Sequence, residues 1–494
     1  MNYLTPKKIG LILGPLTFLL IRLFFHPEGL SHEANAVLGV TLWMALWWML
    51  EVVPIAVTAI LPIVLFPLSG ALPLADTTEN FGHKYVFLFV GGFILAIAIE
   101  KWNLHKRIAL YIISLIGTSV KKIILGFMVA TAFLSMWISN TATSVMMLPI
   151  GMAIISQLQD NPETDKNENR IFGKALMLAI AYSASIGGMA TLIGTVPNVI
   201  LAGVLEETYG IEISFLNWML IGFPIAIILL IICWKYLTSI AFTFKQHDFP
   251  GGITEIKRQI KDLGKFSYEE KMVSLVFAAT AFFWITRTLL FKKLIPQLDD
   301  TIIAITAAII LFLIPSKKEK GKMLIDWKSA VKLPWGILLL FGGGLALAEG
   351  FTSSGLALWI GEQLTLIEDL PLMLLLVIIV MAVNFLTEIT SNIATTSMIL
   401  PVLIPVAVVL NVHPFTIMIG VTMAASCAYM LPVATPPNAV VFGSGYLKIP
   451  DMMKAGIWMN LISIVIITLL VYYLLPVLWD IDPTVFPENF KGLE

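Results

Sequence analysis

Two polar triplets interrupt apolar sequence, Ser139-Asn140-Thr141 and Ser391-Asn392-Ile393. Each is followed further on by a proline–asparagine break, Gly194-Thr195-Val196-Pro197-Asn198 and Ala434-Thr435-Pro436-Pro437-Asn438. Hydroxyls and amides supply neutral acceptor oxygens and N–H donors without a fixed charge. Proline lacks an amide hydrogen and clashes with the preceding turn, so Pro197 and Pro437, with Asn198 and Asn438 beside them, should interrupt a helix. An interrupted helix frees carbonyls for a cation and exposes N–H groups, at the start of its second half, to an anion. The set suits desolvation of Na+ together with hydrogen bonding to carboxylates. A single triplet would equally suit interhelical hydrogen bonding, in which Ser and Thr are common. Two triplets, each paired with a broken helix, argue for a site.

These residues sit in a chain that is 58% hydrophobic and only 13% charged, with a mean hydropathy of +0.90. A soluble domain carries about 25% charged residues, and 494 residues of this composition need a bilayer as solvent. The net charge of −1 argues against a nucleic-acid partner. Cys233 and Cys427 lie in apolar runs without metal-type spacing. The six histidines fall at span ends or in loops, and no His/Asp/Glu/Cys cluster of catalytic spacing occurs in the apolar stretches. A carrier without a resident cofactor therefore fits better than a membrane-embedded enzyme.

Lys7 and Lys8 precede an apolar run, 9–25, that resembles a signal peptide, but Arg22 interrupts it and no small-x-small site follows. It reads as a retained first span of a plasma (inner) membrane protein with a cytoplasmic N-terminus. Segments 245–271 (Lys257, Arg258, Lys261, Lys265, Lys271) and 316–332 (Lys317, Lys318, Lys320, Lys322, Lys328) should also be cytoplasmic. Two spans, 272–291 and 301–315, fit between them. Residues 108–117, following Lys101, His105, Lys106 and Arg107, suit an interfacial helix. Trp43, Trp47 and Trp48 read as interface anchors. Glu388 beside the second triplet costs about 2.5–3.5 kcal/mol within the bilayer, so it either orients a cation-binding loop or pairs with a nearby cation.

The chain repeats itself. Residues 131–150 lie over 383–402 with nine of twenty positions identical, ungapped, at an offset of 252. Gly91-Gly92 and Gly342-Gly343-Gly344 precede the two copies. Polar mid-membrane residues followed by Pro149, or by Pro401 and Pro405, suggest re-entrant hairpins around 131–156 and 383–409. The division is a first repeat at 35–244, a cytoplasmic linker at 245–271 and a second repeat at 272–479, within one integral membrane domain spanning 1–494. Such duplication marks transporters with a midplane site between repeats.

From about Asn35 to Leu475, the doubled Ser-Asn tips and Pro-Asn breaks resemble the divalent anion–sodium symporter family, which includes sodium-coupled dicarboxylate and citrate carriers. The resemblance implies an all-α polytopic membrane protein with about eleven transmembrane helices, two re-entrant hairpins in an inverted repeat, a homodimer and elevator-type movement. It implies one sodium site from Ser135, Ser139, Asn140 and the Gly194 carbonyl, and a second from Thr387, the Thr390 carbonyl, Asn392 and Ala434. Substrate carboxylates would meet Asn140, Thr141 and Asn392 at the tips, and Thr195, Thr435 and Pro436 at the breaks. Ile393 departs from the family's threonine and cannot donate a hydrogen bond, which leaves the preferred substrate open. The function implied is import of succinate-, malate- or fumarate-type dicarboxylates with sodium. The rivals are a sodium-independent dicarboxylate exchanger on the same fold and a permease for another oxyanion such as sulfate or arsenite.

Overall fold

The computed structural model describes residues 6–117, 119–159, 166–244, 252–363 and 370–490; part of the polar break at 160–173 and the start of the 245–271 linker, with His247, lie outside them. Among the described residues the chain is helical, apart from an isolated bridge between Pro315 and Met323.

Helix ends gather on two faces. On one, Arg107 donates to the carbonyls of Leu263, Gly264 and Lys265 and pairs with Glu270 at 2.7 Å. Glu269 accepts from the Lys317 and Lys318 amides at 2.8 Å each, and Lys101 lies 3.6 Å from Asp326. The described parts of both basic segments therefore share this basic face, as the sequence requires. On the far face, Arg287 pairs with Asp300 at 2.8 Å and with Glu212, and Lys84 pairs with Glu206 at 2.6 Å.

From the basic face α1 (Pro6–Phe24) runs outward and α2 (His32–Leu50) returns, capped by Ser31, whose hydroxyl accepts from the Ala34 amide at 2.9 Å. Then α3 (Ile55–Ala59) and α4 (Leu61–Ser69) cross as a jointed pair, α5 (Leu74–Glu79) lies at the far face, and α6 (Lys84–Lys101) comes back. The half-buried α7 (Leu104–Ile116) follows along the basic face, where an interfacial helix was expected. A first hairpin, α8 (Val120–Ser135) and α9 (Asn140–Gln159), precedes the interrupted helix α10 (Lys166–Gly188) and α11 (Val196–Tyr209). Next α12 (Phe215–Tyr236) recrosses to α13 (Gly252–Asp262) on the basic face.

The second half repeats the plan. After α14 (Tyr268–Thr286), α15 (Asp300–Leu313) and the short α16 (Trp327–Ala330) comes α17 (Trp335–Ser353), then α18 (Leu356–Gln363). A second hairpin, α19 (Leu372–Leu386) and α20 (Asn392–Val409), precedes the interrupted helix α21 (Pro414–Ala425) and α22 (Pro436–Phe442), and α23 (Ile449–Trp479) ends the bundle. Both hairpins begin earlier than the sequence boundaries 131 and 383, because their first arms are plainly apolar and only the tips carry a readable polar signal.

The hairpins enter from opposite faces. Lys121, at the start of the first, accepts from Trp234 Nε1 at 2.9 Å and donates to Ser239 at 3.1 Å, at the basic-face end of α12. The end of the second abuts far-face residues: Val409 packs on Gly361, and His413 N donates to Pro483 O at 3.2 Å. This is the inverted arrangement that the family resemblance implies.

In lipid, close helix approach rather than burial from water drives packing, and the glycine patches supply it. A methyl group at Gly91 would lie 2.6 Å from the Ala304 backbone, and one at Gly343 would strike the Ala59 carbonyl. The tryptophan cluster departs from the interface-anchor expectation. Trp48 is buried with its Nε1 on Ile55 O at 3.0 Å, and Trp47 Nε1 donates to Gly10 O at 3.0 Å, so these indoles fasten α1 and α3 to α2.

Candidate substrate and ion site

The two hairpin tips meet the two helix interruptions around one cavity of about 790 Å³. Ser139, Asn140 and Thr141 line it from the first tip and Thr390, Ser391, Asn392 and Ile393 from the second. The interruptions contribute Gly194, Thr195, Ala434, Thr435, Pro436 and Pro437. The opposite wall is apolar, with Phe89, Phe93 and Ile337 from α6 and α17. Lys7, Met49, Leu50 and Glu51 line one end, where α2 finishes on the basic face, so the cavity opens that way.

Local structure explains the placement of each polar group. Proline is tolerated in a helix's first turn, where its missing N–H would have no partner anyway. Pro197 and Pro437 stand there, starting α11 and α22 rather than ending α10 and α21. The interruptions are accordingly longer than the Pro-Asn motifs and begin upstream of them, after Gly188 and Ala425. Thr195 and Thr435 hold nearly the same extended backbone before the two half-helices, at φ −143°, ψ 146° and φ −141°, ψ 149°. Thr435 caps α22 by accepting from the Asn438 amide at 3.3 Å, whereas Thr195 makes no such cap. Asn198 and Asn438 face away from the cavity and stitch the interruptions together. Asn198 donates to Gly188 O at 3.3 Å and Thr191 O at 2.8 Å, and Asn438 to Ala428 O at 3.1 Å and Leu431 O at 3.0 Å.

Ser135 and Thr387 are fully buried behind the tips rather than on the cavity wall. Ser135 Oγ lies 2.6 Å from Asn140 Oδ1 and 2.7 Å from Ala184 O. Thr387 Oγ1 lies 2.8 Å from Asn392 Oδ1 and 2.9 Å from Ala425 O. A hydroxyl has one proton, so each of these faces two acceptors and satisfies only one. At the first tip the excess is larger, because the inward-facing amide atom of Asn140 also lies 3.3 Å from Gly194 O and 3.2 Å from Ala184 O. With oxygen inward, this is a cluster of acceptors that only a cation satisfies. With nitrogen inward, the amide donates to the same carbonyls and the cluster closes on itself.

Other polar groups at the tips have local partners. Ser139 accepts from the Ala142 amide at 3.3 Å, and Thr390 Oγ1 is held by Leu386 O at 2.9 Å and Thr395 Oγ1 at 2.5 Å, so both hydroxyls already serve the tip turns. Pro436 lines the cavity but has no N–H, so it offers a substrate only shape. Glu388 meets no cation among the described residues. Its carboxylate accepts from the Tyr429, Met430 and Leu431 amides at 2.7, 2.9 and 3.0 Å and from Asn460 Nδ2 at 2.8 Å. It clamps the loop that leads to Ala434. Asn460 escaped the sequence reading, although a lone amide within the long apolar run of α23 was a visible signal.

An all-helical bundle with opposed hairpins and two interrupted helices around a central cavity is a membrane carrier. The model of the sodium:sulfate symporter transmembrane region matches residues 7–479, and the chain belongs to that family of divalent anion–sodium symporters. It is 50% identical over 488 residues to the sodium-dependent dicarboxylate transporter SdcS of Staphylococcus saprophyticus, covering 98% of this chain and 94% of that one. It is 52% identical over 483 residues to SdcS of Staphylococcus aureus strain MRSA252, covering 97% and 93%. Among solved structures, the YdaH transporter of Alcanivorax borkumensis resembles it in fold with a TM-score of 0.58 at 14% identity, covering 87% of this chain and 98% of that one. MtrF of Neisseria gonorrhoeae gives 0.56 at 12% identity, with 96% of each covered.

Proposed function

We propose that the protein imports small dicarboxylates of the succinate type together with sodium. The observation that carries this reading is the tip amide set against a buried hydroxyl and a helix carbonyl behind each tip, beside the starts of α9 and α20 that face the shared cavity. One sodium site uses Asn140 Oδ1, Ser135, Ser139 and the Gly194 carbonyl, and the other uses Asn392, Thr387 and the carbonyls at Thr390 and Ala434. The substrate lies between the tips, its carboxylates on Asn140, Thr141 and Asn392 and on Thr195 and Thr435. Sodium turns the Asn140 oxygen inward and leaves its NH2 for a carboxylate. Without sodium the amide closes on Ala184 and Gly194, and a carboxylate would meet an oxygen. Coupling then needs no charged side chain, because the ion supplies the positive field.

In proteoliposomes, replacing Na+ with choline should lower succinate uptake at least tenfold, and this is read by labelled uptake under otherwise equal gradients. Equal uptake in choline would replace symport with exchange.

We place the basic face in the cytoplasm. Counting each interrupted helix once and α3–α4 once, the bundle then has eleven crossings besides the hairpins, with the N-terminus inside and the C-terminus outside. The cavity is then inward-open. Transport follows an elevator motion in which hairpins and interrupted helices move against α1–α6 and α14–α17, within a homodimer. A cysteine placed at Lys320 should resist impermeant maleimide in intact cells and react after permeabilisation. Labelling from outside would invert the topology.

A further inference from the structure

Away from the substrate cavity, a second hollow of about 520 Å³ opens on the bundle's periphery between the ends of α12 and α23 at the basic face. Its formation is local. The last turn of α12 widens at Leu237–Ala241 into a π-type turn before Phe242 leaves the helix, and Tyr236 Oη holds the two helices together by donating to Ala455 O at 3.1 Å. Ile240, Phe242, Trp458 and Ile462 give the hollow an apolar wall. Ile240 is 74% and Trp458 58% exposed, facing outward where acyl chains would lie.

The polar end has two charges. Asp451 is already neutralised: one oxygen is 2.6 Å from Lys174 Nζ and the other accepts from the Lys448 amide at 3.1 Å. Lys454 has no ion pair among the described residues, and exposed Lys235 lies one position before Tyr236. The hollow thus has an apolar slot, an exposed indole along it and an ammonium with no ion pair among the described residues, the features that hold an anionic headgroup between transmembrane helices.

We propose that this hollow binds an anionic glycerophospholipid of the leaflet at the basic face, with one acyl chain along Ile240, Trp458 and Ile462 and the phosphate on Lys454. The charge selects the occupant. A zwitterionic lipid would fill the slot but bring its own cation to Lys454, and a second protein copy would have to bury that ammonium beside an acid already paired to Lys174.

The full-length protein in detergent, titrated with dioleoyl phosphatidylglycerol, should gain ~3–6 °C in melting temperature. Dioleoyl phosphatidylcholine should give at most a third of that shift. Lys454→Glu should abolish the difference between the two lipids, and mass spectrometry should show lost phosphatidylglycerol retention. Lys332→Glu, on a loop of the same face, should keep both. Ala241→Phe, which fills the slot without changing charge, should weaken binding of both lipids. Equal shifts by the two lipids, an unchanged lipid preference in Lys454→Glu, or the same stabilisation by inorganic phosphate would each overturn the proposal. Conversion of dimer to monomer by Trp458→Glu would also overturn it, by making the hollow an interface between copies.

Discussion

Succinate transport should fall about 100-fold or more when either Asn140 or Asn392 is replaced by leucine, with the protein still folded and inserted. Each amide joins a buried hydroxyl on one side and the cavity on the other. Leucine removes an oxygen ligand from the ion and a donor from the carboxylate. Hydrogen bonds to charged groups contribute about 1.5–3 kcal/mol each, and ~3 kcal/mol in total corresponds to about two orders of magnitude. Aspartate should be as harmful for a different reason, because it keeps the ion's oxygen but sets a negative charge against the carboxylate. Ser397→Ala is the control. That hydroxyl is buried in α20 without a hydrogen-bond partner among the described residues, against Gly344, so its removal should leave uptake within about twofold of the native protein. Uptake and sodium-dependent thermal stabilisation measured together separate the outcomes. Near-native transport by both asparagine variants would make the tips interhelical glue rather than a site.

The tips were legible because they break a rule: Ser-Asn pairs in mid-membrane, twice, at one constant offset. The interruptions were legible for a related reason, although their motifs were given the wrong task. Proline proved to start each second half-helix, and the conserved geometry of Thr195 and Thr435 follows from that start. Asn198 and Asn438 read as part of the break, yet their amides repair it by bonding carbonyls within the interruptions, at Thr191 and Leu431. What stayed hidden consists of backbone atoms and partners remote in sequence. The carbonyls of Ala184 and Ala425 have no residue-type signature, and their helices reach the tips only through folding. The side to which the cavity opens was likewise invisible, since it depends on how the hairpin-bearing helices sit against α2 and α6.

Glu388 shows the same limit from the other side, a residue conspicuous in the sequence whose three amide partners follow one another 41 to 43 positions away. Its counterpart in the first repeat is Met136, whose carbonyl accepts from Thr191 Oγ1 at 2.5 Å, so the two interruptions are fastened by different chemistry. Replacing Glu388 with leucine takes the acceptor from the half-buried Met430 and Leu431 amides and leaves the buried Tyr429 amide only Asn460 Oδ1 at 3.3 Å, at about 1–3 kcal/mol for each amide stranded. The loop would escape this cost by rearranging, and it carries Ala434, a carbonyl assigned to the second sodium site. The variant should therefore lose about 30-fold or more in uptake at physiological sodium. Glutamine offers one oxygen in place of two and turns its NH2 toward a donor, so Glu388→Gln should be intermediate and its uptake should recover as sodium is raised. The half-saturating sodium concentration is the decisive reading: a role confined to folding would lower the amount of active protein without moving it. Rescue of Glu388→Gln at high sodium, with a right-shifted sodium curve and an unshifted succinate curve at saturating sodium, is the expected result. A native sodium curve in both variants would detach the Glu388 clamp from the ion site.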